Sequence, residues 1–301
     1  MLEGLSPNTG RIFHAVSQLE CVKPYILVGG TALSLQLRHR QSEDIDFMQW
    51  KPAGNTPVEV EWRKIMGELE QTGTVEHVDI LDRNLVNFVV SGVKISFYTR
   101  DSRMPDVQPL PFLNSIRIAD VHAIGAMKLE VLLRRCTFRD YYDIYAILKS
   151  GEDINSMIRL ALKYSGYVLK SRALISMLLN SDRYGMDRNF LKLNPIYDVT
   201  PDGIRDFILT ELLGPGNFVK FLPNEIPYSE FEKAGISRND LKIDDIKQLL
   251  NGEMTENKQF RANIDDKWSY FNGRFSLVRN PDDTVGLIFH PSVKKSIKLK
   301  R

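Results

Sequence analysis

Asp44 and Asp46 stand one residue apart in the run Asp44-Ile45-Asp46-Phe47-Met48. On an extended strand, residues i and i+2 point to the same side, so this spacing sends both carboxylates one way and turns Ile45 and Phe47 toward a core. Two converging carboxylates suit a hard divalent cation, and magnesium takes one or two of them together with phosphates and waters. A solvated strand end can carry the same Asp-x-Asp, so the pair alone leaves both readings open. Upstream, Tyr25-Ile26-Leu27-Val28 runs into Gly29-Gly30-Thr31. Glycines let backbone approach a ligand closely, the free N–H groups of a new helix bind phosphate, and Thr31 can add a hydroxyl. A tight strand-to-helix turn would use the same glycines. The combination is more specific than either part: a phosphate cradle and a carboxylate pair joined by one short helix are what a nucleoside triphosphate with magnesium requires.

A second group of charges lies downstream. Lys128 sits within a long helical stretch, and Arg139-Asp140-Tyr141-Tyr142-Asp143 opens the next. A lysine is a mobile point charge for phosphate. Asp140 and Asp143 fall on neighbouring faces of a helix. Asp140 is expected to act as a base or to orient the acceptor, and Asp143 to brace Arg139 or Lys128. The alternative is a surface salt-bridge array.

These groups need elements to position them. Tyr25–Val28 and Ile45–Met48 read as strands, with a helix over Thr31–Leu37 between them. A first helix is expected from Asn8-Thr9 to before Lys23-Pro24. Thr56-Pro57 reads as the start of a helix running to about Gln71. His77–Leu81, Leu85–Val90 and Val93–Tyr98 read as strands, the last two joined at Ser91-Gly92 as a hairpin. After a Pro-containing stretch, Ile116–Ile118 is a further short strand; Asp120 caps a helix reaching Arg135, and another spans Phe138–Lys149. A domain boundary is placed at Ser150-Gly151, dividing the chain into 1–150 and 151–301. Helices are expected at Ile154–Tyr164, Ser171–Leu179, after Thr200-Pro201 and within Ser229–Leu250, and a β-meander over Trp268–Phe289. The basic run from Lys294 to Arg301 and the pair Arg134-Arg135 could attract RNA phosphates.

Composition narrows the class. In 301 residues, 43% are hydrophobic and the net charge is +2, which suits two globular domains and neither demands nor excludes nucleic acid. Cys21 and Cys136 are the only cysteines, so no disulfide framework is expected. The first residues lack a signal-peptide pattern, and no apolar run reaches the ~20 residues of a membrane span. A cytoplasmic protein without a membrane partner is the expectation.

The segment Gly29-Gly30-Thr31-Ala32-Leu33, followed by His39-Arg40-Gln41-Ser42-Glu43-Asp44-Ile45-Asp46-Phe47, resembles the first motif of the polymerase-β-like nucleotidyltransferase superfamily. Its His-Arg, Ser and Asp-Ile-Asp-Phe resemble the AbiEii-type nucleotidyltransferase toxins, as does Lys128 followed by Arg139-Asp140-x-x-Asp143. The resemblance covers roughly Tyr25 to Lys149. It implies an α+β fold, with a mixed nucleotidyltransferase sheet and flanking helices, then a mostly helical C-terminal domain ending in the meander. It also implies transfer of a nucleotide from a nucleoside triphosphate to an acceptor, often the 3′ end of tRNA, and a cognate antitoxin partner. The implied site is Asp44 and Asp46 as magnesium (or manganese) ligands and catalytic groups, with Lys128 and Asp140 also catalytic. Gly29, Gly30, Thr31, Arg40, Ser42 and Lys128 would bind nucleotide, and residues 151–301 would offer an acceptor-binding wall. One departure stands out. Many superfamily members carry a third carboxylate on a neighbouring strand, where this chain has Lys94 and Ser96. A protein or small-molecule acceptor, or an inactive nucleotide-binding relative, are the competing readings.

Overall fold

The computed structural model describes residues 2–50, 59–100, 109–166, 168–185, 187–213, 221–264, 267–280 and 284–292. Its first helix, α1 (Pro7–Val16), begins two residues earlier than the capping pattern suggests, because Ser6 caps it. The Thr9 hydroxyl donates instead to the Glu43 carbonyl at 2.6 Å. Strand β1 (Ile26–Val28) runs directly into helix α2 (Gly29–Leu37), and β2 (Ile45–Trp50) follows. Next come α3 (Trp62–Leu69), β3 (Val75–Asp82), β4 (Leu85–Val90) and β5 (Val93–Arg100). Ser91 and Gly92 both take positive φ (48° and 76°), which turns β4 tightly into β5. The expected helix start at Thr56-Pro57 lies outside the described residues.

Two short strands, β6 (Leu110–Leu113) and β7 (Ile116–Ile118), precede the helices α4 (Val121–Val131) and α5 (Phe138–Lys149). The carboxylate of Asp120 accepts from the Ala123 N–H at 2.8 Å and starts α4 as expected. The helix ends four residues short of Arg135, in a turn where Arg134 N–H reaches the Val131 carbonyl. The strands form one mixed sheet in the order β3-β4-β5-β2-β1-β7-β6. β2 pairs antiparallel to β1 and parallel to β5, while β1 pairs parallel to β7. Alternation along β2 buries Ile45 and Phe47 completely. Phe47 stacks on Phe97 at 5.2 Å, an aromatic centre that pins the β2–β5 register.

The chain divides into two compact units, residues 1–177 with 181–204, and residues 178–180 with 205–301. The first therefore extends past the expected boundary near residue 150. Helix α6 (Ile154–Tyr164) packs on α4, with Met157 against Gly125, and Phe190 packs edge-on against Phe138 and Tyr142. Helix α7 (Ser171–Leu178) follows, its last residue already in the second unit.

That second unit holds most of α8 (Pro201–Leu213), then α9 (Tyr228–Lys233) and α10 (Ile243–Leu250). It ends in an antiparallel sheet of β8 (Lys258–Ile264), β9 (Lys267–Arg279) and β10 (Val285–Pro291), ordered β10-β9-β8. Phe231, Phe260, Phe275, Leu249 and Leu250 are at its core. Asn272-Gly273 lies inside β9, where a Cβ on Gly273 would collide with the Phe289 ring. Residues 281–283 and the basic tail from Lys294 lie outside the described residues. Among the described residues, no helix is long and apolar enough to cross a membrane.

Candidate nucleotidyl-transfer site

A cavity of about 730 Å³ opens in the first unit where β1 meets α2. Gly29 adopts φ +71°, a left-handed conformation that only glycine takes without strain. A Cβ there would come within 2.6 Å of Asp46 Oδ2. A Cβ on Gly30 would meet Arg40 Nη2 at 2.7 Å. The two glycines are thus required by close approach on both sides. No side chain caps α2, so its first N–H groups face the cavity without a local partner from a capping residue.

The same cavity is lined by Gly29, Gly30, Arg40, Ser42, Asp44, Asp46 and Lys128, seven of the residues expected at the site. Thr31 and Asp140 are not among its lining. Thr31 is fully buried; its hydroxyl donates to the Asp44 carbonyl and shares a 2.8 Å bond with Ser42 Oγ. It fastens the loop that carries the carboxylates and lies behind the cavity lining. Asp140 is also fully buried. Its Oδ1 accepts from Lys128 (3.0 Å) and Arg135 Nη2 (3.0 Å), and its Oδ2 from Arg135 Nε (3.0 Å) and Thr137 (2.7 Å). Burial pushes its pKa up, but Lys128 and Arg135 outweigh that and hold it below the usual carboxylate range. A carboxylate saturated in this way holds Lys128, Arg135 and Thr137 in place.

Asp143 anchors a second set of partners. Its Oδ1 accepts from Arg40 Nε (2.7 Å) and bonds His39 Nε2 (2.8 Å). Its Oδ2 accepts from Arg40 Nη2 (2.8 Å) and lies 2.7 Å from Lys128 Nζ. All four side chains are at least nine-tenths buried. Against the cost of burial, Arg40 and Lys128 hold Asp143 well below the ordinary value. Burial lowers the His39 pKa despite its bond to Asp143. Asp143 thus braces Lys128 and Arg40; Arg139 pairs elsewhere, with Asp187 at 3.0 Å.

Asp44 and Asp46 have the opposite surroundings. Burial raises the Asp46 pKa, and the neighbouring Asp44 charge raises it further, only partly offset by Lys94 and Lys128. Two like charges close together with incomplete compensation are a donor set that a divalent cation would relieve. The residues therefore fit magnesium or manganese as a two-carboxylate site completed by phosphates and water. Among the described residues no group of three or more His, Cys, Asp or Glu converges as a larger metal cluster. Ser96, which faces Asp46 across the β2–β5 register, stands where an acid could have been the third member.

Around this centre the lining includes eight arginines and lysines against four carboxylates. Tyr98, Arg100, Glu130, Tyr164, Asp187 and Arg188 lie outside the motifs that the sequence presents. Tyr98 and Arg100 could have been found from the two-residue alternation that begins at Lys94. Asp187 and Arg188 carry no local signal, because the tertiary fold alone returns them to the cavity.

The chain is similar to several known proteins. An uncharacterized Aquifex aeolicus (strain VF5) protein is 27% identical over 153 residues, covering 49% of this chain and 69% of its own. Among solved structures, the nucleotidyltransferase toxin MenT4 from Mycobacterium tuberculosis H37Rv aligns with a TM-score of 0.48 and 16% identity, over 68% of this chain and 81% of that one. JHP933 from Helicobacter pylori aligns with a TM-score of 0.35 and 20% identity, over 58% and 74%. A family of proteins of unknown function (DUF4099) matches residues 221–301. The model of the nucleotidyl transferase AbiEii toxins of type IV toxin–antitoxin systems matches residues 12–224, and the chain belongs to that family.

Proposed function

We propose that this toxin-family nucleotidyltransferase moves a nucleotide from a nucleoside triphosphate to the 3′ end of tRNA, with magnesium (manganese as a substitute) at Asp44 and Asp46. The observation that carries this reading is one cavity holding the partly compensated pair Asp44/Asp46, the close-approach turn Gly29-Gly30 and an excess of cations. A divalent ion held by the two carboxylates would supply charge neutralisation at the reacting phosphate. The N–H groups at the start of α2 bind phosphate oxygens. Lys128 gives two of its three N–H donors to Asp140 and Asp143 and has one left for the leaving pyrophosphate. Arg40, locked by Asp143, presents its guanidinium over Gly30. The acceptor hydroxyl attacks the α-phosphorus, the bond to pyrophosphate breaks, and the hydroxyl proton leaves to solvent. Arg134, Arg135, Arg139 and Arg188 at the cavity wall offer the phosphate contacts that an RNA acceptor needs. A cognate antitoxin is the protein partner implied by the family, and the cytoplasm the compartment where tRNA is met.

Lys94 and Ser96, standing where a third carboxylate would be, favour one competing reading: a nucleotide-binding relative without transfer activity. Incubation with each labelled triphosphate, magnesium or manganese and total cell RNA decides between them. Label in the tRNA fraction is the expected result. Label in protein would move the acceptor to that class, and no transfer with either metal would establish the inactive reading.

A further inference from the structure

Glu130 is 6% exposed and lines the cavity wall. Its Oε1 takes both cationic partners, Arg134 Nη2 and Arg100 Nη2 (3.5 Å). Its Oε2 has no partner among the described residues. A carboxylate oxygen without a protein partner on a cavity wall is an acceptor available to a ligand donor. The phosphate chemistry described above does not use this group.

Its place relative to the phosphate end follows from the register. Asp46 and Met48 project from one side of β2, with Asp44 just before the strand, and Ser96, Tyr98 and Arg100 stand opposite Asp46, Met48 and Trp50. At about 3.3 Å per residue, the Met48/Tyr98 pair lies roughly 7 Å along the sheet from Asp46, and Arg100 starts roughly 13 Å away. On α4, Lys128 and Glu130 are two residues apart, about 200° around the helix, and so occupy opposite flanks of it. Lys128 turns to Asp140 and Asp143, while Glu130 turns to Arg100, whose guanidinium covers the Tyr164 ring at 4.4 Å. Phosphate-binding groups occupy one flank. The other offers an apolar floor, Met48 and Tyr98, ending in an acceptor beside a donor.

We infer that Glu130 and Arg100 read the base edge of the incoming nucleoside triphosphate, with the base lying on Met48 and Tyr98. This rests on the nucleotidyl-transfer reading of the same cavity. Glu130 Oε2 accepts from a base N–H and Arg100 donates to the adjacent base acceptor. A site built to hydrogen-bond its ligand rejects ligands lacking the match, so the four triphosphates should not bind alike.

The test is competition binding with magnesium, using the four triphosphates, ribose 5′-triphosphate and inorganic tripolyphosphate, on the full chain and on Glu130→Gln. The expected result is one triphosphate bound at least about 10-fold more tightly than ribose 5′-triphosphate and than its poorest competitor. Glu130→Gln should collapse that ratio and leave tripolyphosphate binding unchanged. A Glu130→Gln protein that keeps the ratios, or weakens every ligand including tripolyphosphate equally, would overturn the inference. If that variant does not fold, the native chain still decides: ribose 5′-triphosphate binding as tightly as the best nucleotide would overturn it. Failure of every ligand, tripolyphosphate included, would remove the phosphate site and this subsite together.

Discussion

The first compact unit contains two pairs of aspartates, and their surroundings are opposite. Asp140 and Asp143 are fully buried, and every carboxylate oxygen is shared among Lys128, Arg135, Thr137, Arg40 and His39. Asp44 and Asp46 line the cavity, repel each other and are only partly compensated. The first pair is held charged by its partners; in the second, burial and the Asp44 charge push Asp46 toward its protonated form. A carboxylate with its partners already in place builds a scaffold, and one short of partners is available for a ligand. The same residue type thus does structural work around α5 and, on the proposed reading, chemical work on β2.

Exchanging residues between the two roles gives the largest contrast. Asp46→Asn should abolish nucleotide incorporation. It should also leave the melting temperature equal or higher at neutral pH, because a carboxylate with a raised pKa costs stability when ionised. Incorporation assays and melting curves on one preparation check both; full incorporation by the folded variant would dismiss the metal assignment. Asp143→Ala should cost about 3–5 kcal/mol of stability, the scale for stranding a buried charge, here Arg40 and Lys128. Denaturant titration measures this, and a loss under about 1 kcal/mol would mean that the network is not a scaffold.

Lys128 belongs to both regions. Lys128→Ala should slow transfer by about 10²-fold or more, the effect of losing one charge-stabilising donor. Single-turnover rates on protein verified as folded would show it; an unchanged rate would confine Lys128 to the scaffold. The smallest effect is in pH. The depressed pKa values of Asp140 and Asp143 contribute stability above the unfolded carboxylate value, which is lost as pH falls through their folded values. Asp46 runs the other way: its raised pKa means that a cation must displace a proton, so magnesium affinity should rise with pH. Melting scans from about pH 7 to about pH 3 should show a steeper acid loss in the native chain than in Asp143→Asn. Magnesium titrations across neutral pH check the second trend, and a flat profile would contradict it.

Most elements of the first unit were legible because their signals are local. The run Ile26–Val28, the glycine pair, the alternation in β2 and β5 and the cap at Asp120 each need only neighbours in sequence. β6 was missed because Pro111 lies within it, and a proline is tolerated there only because β6 is the last strand of the sheet. The domain boundary is expressed by packing, Met157 on Gly125 and Phe190 on Phe138, across separations that no periodicity records.

The sequence by itself determined that Asp44, just before β2, and Asp46, within it, face one side, and that Gly29-Gly30 turns the neighbouring strand into a helix. Spacing and backbone permissiveness are properties of adjacent residues. Only the tertiary structure decided which charges would be spent on one another. Asp143 meets Arg40 across 103 residues of chain, Asp140 is closed off by Arg135 and Lys128, and the Thr31 hydroxyl holds Ser42 and Asp44. Those outcomes rest on burial and on competition for hydrogen-bond partners, which come into being when α2, α4 and α5 pack.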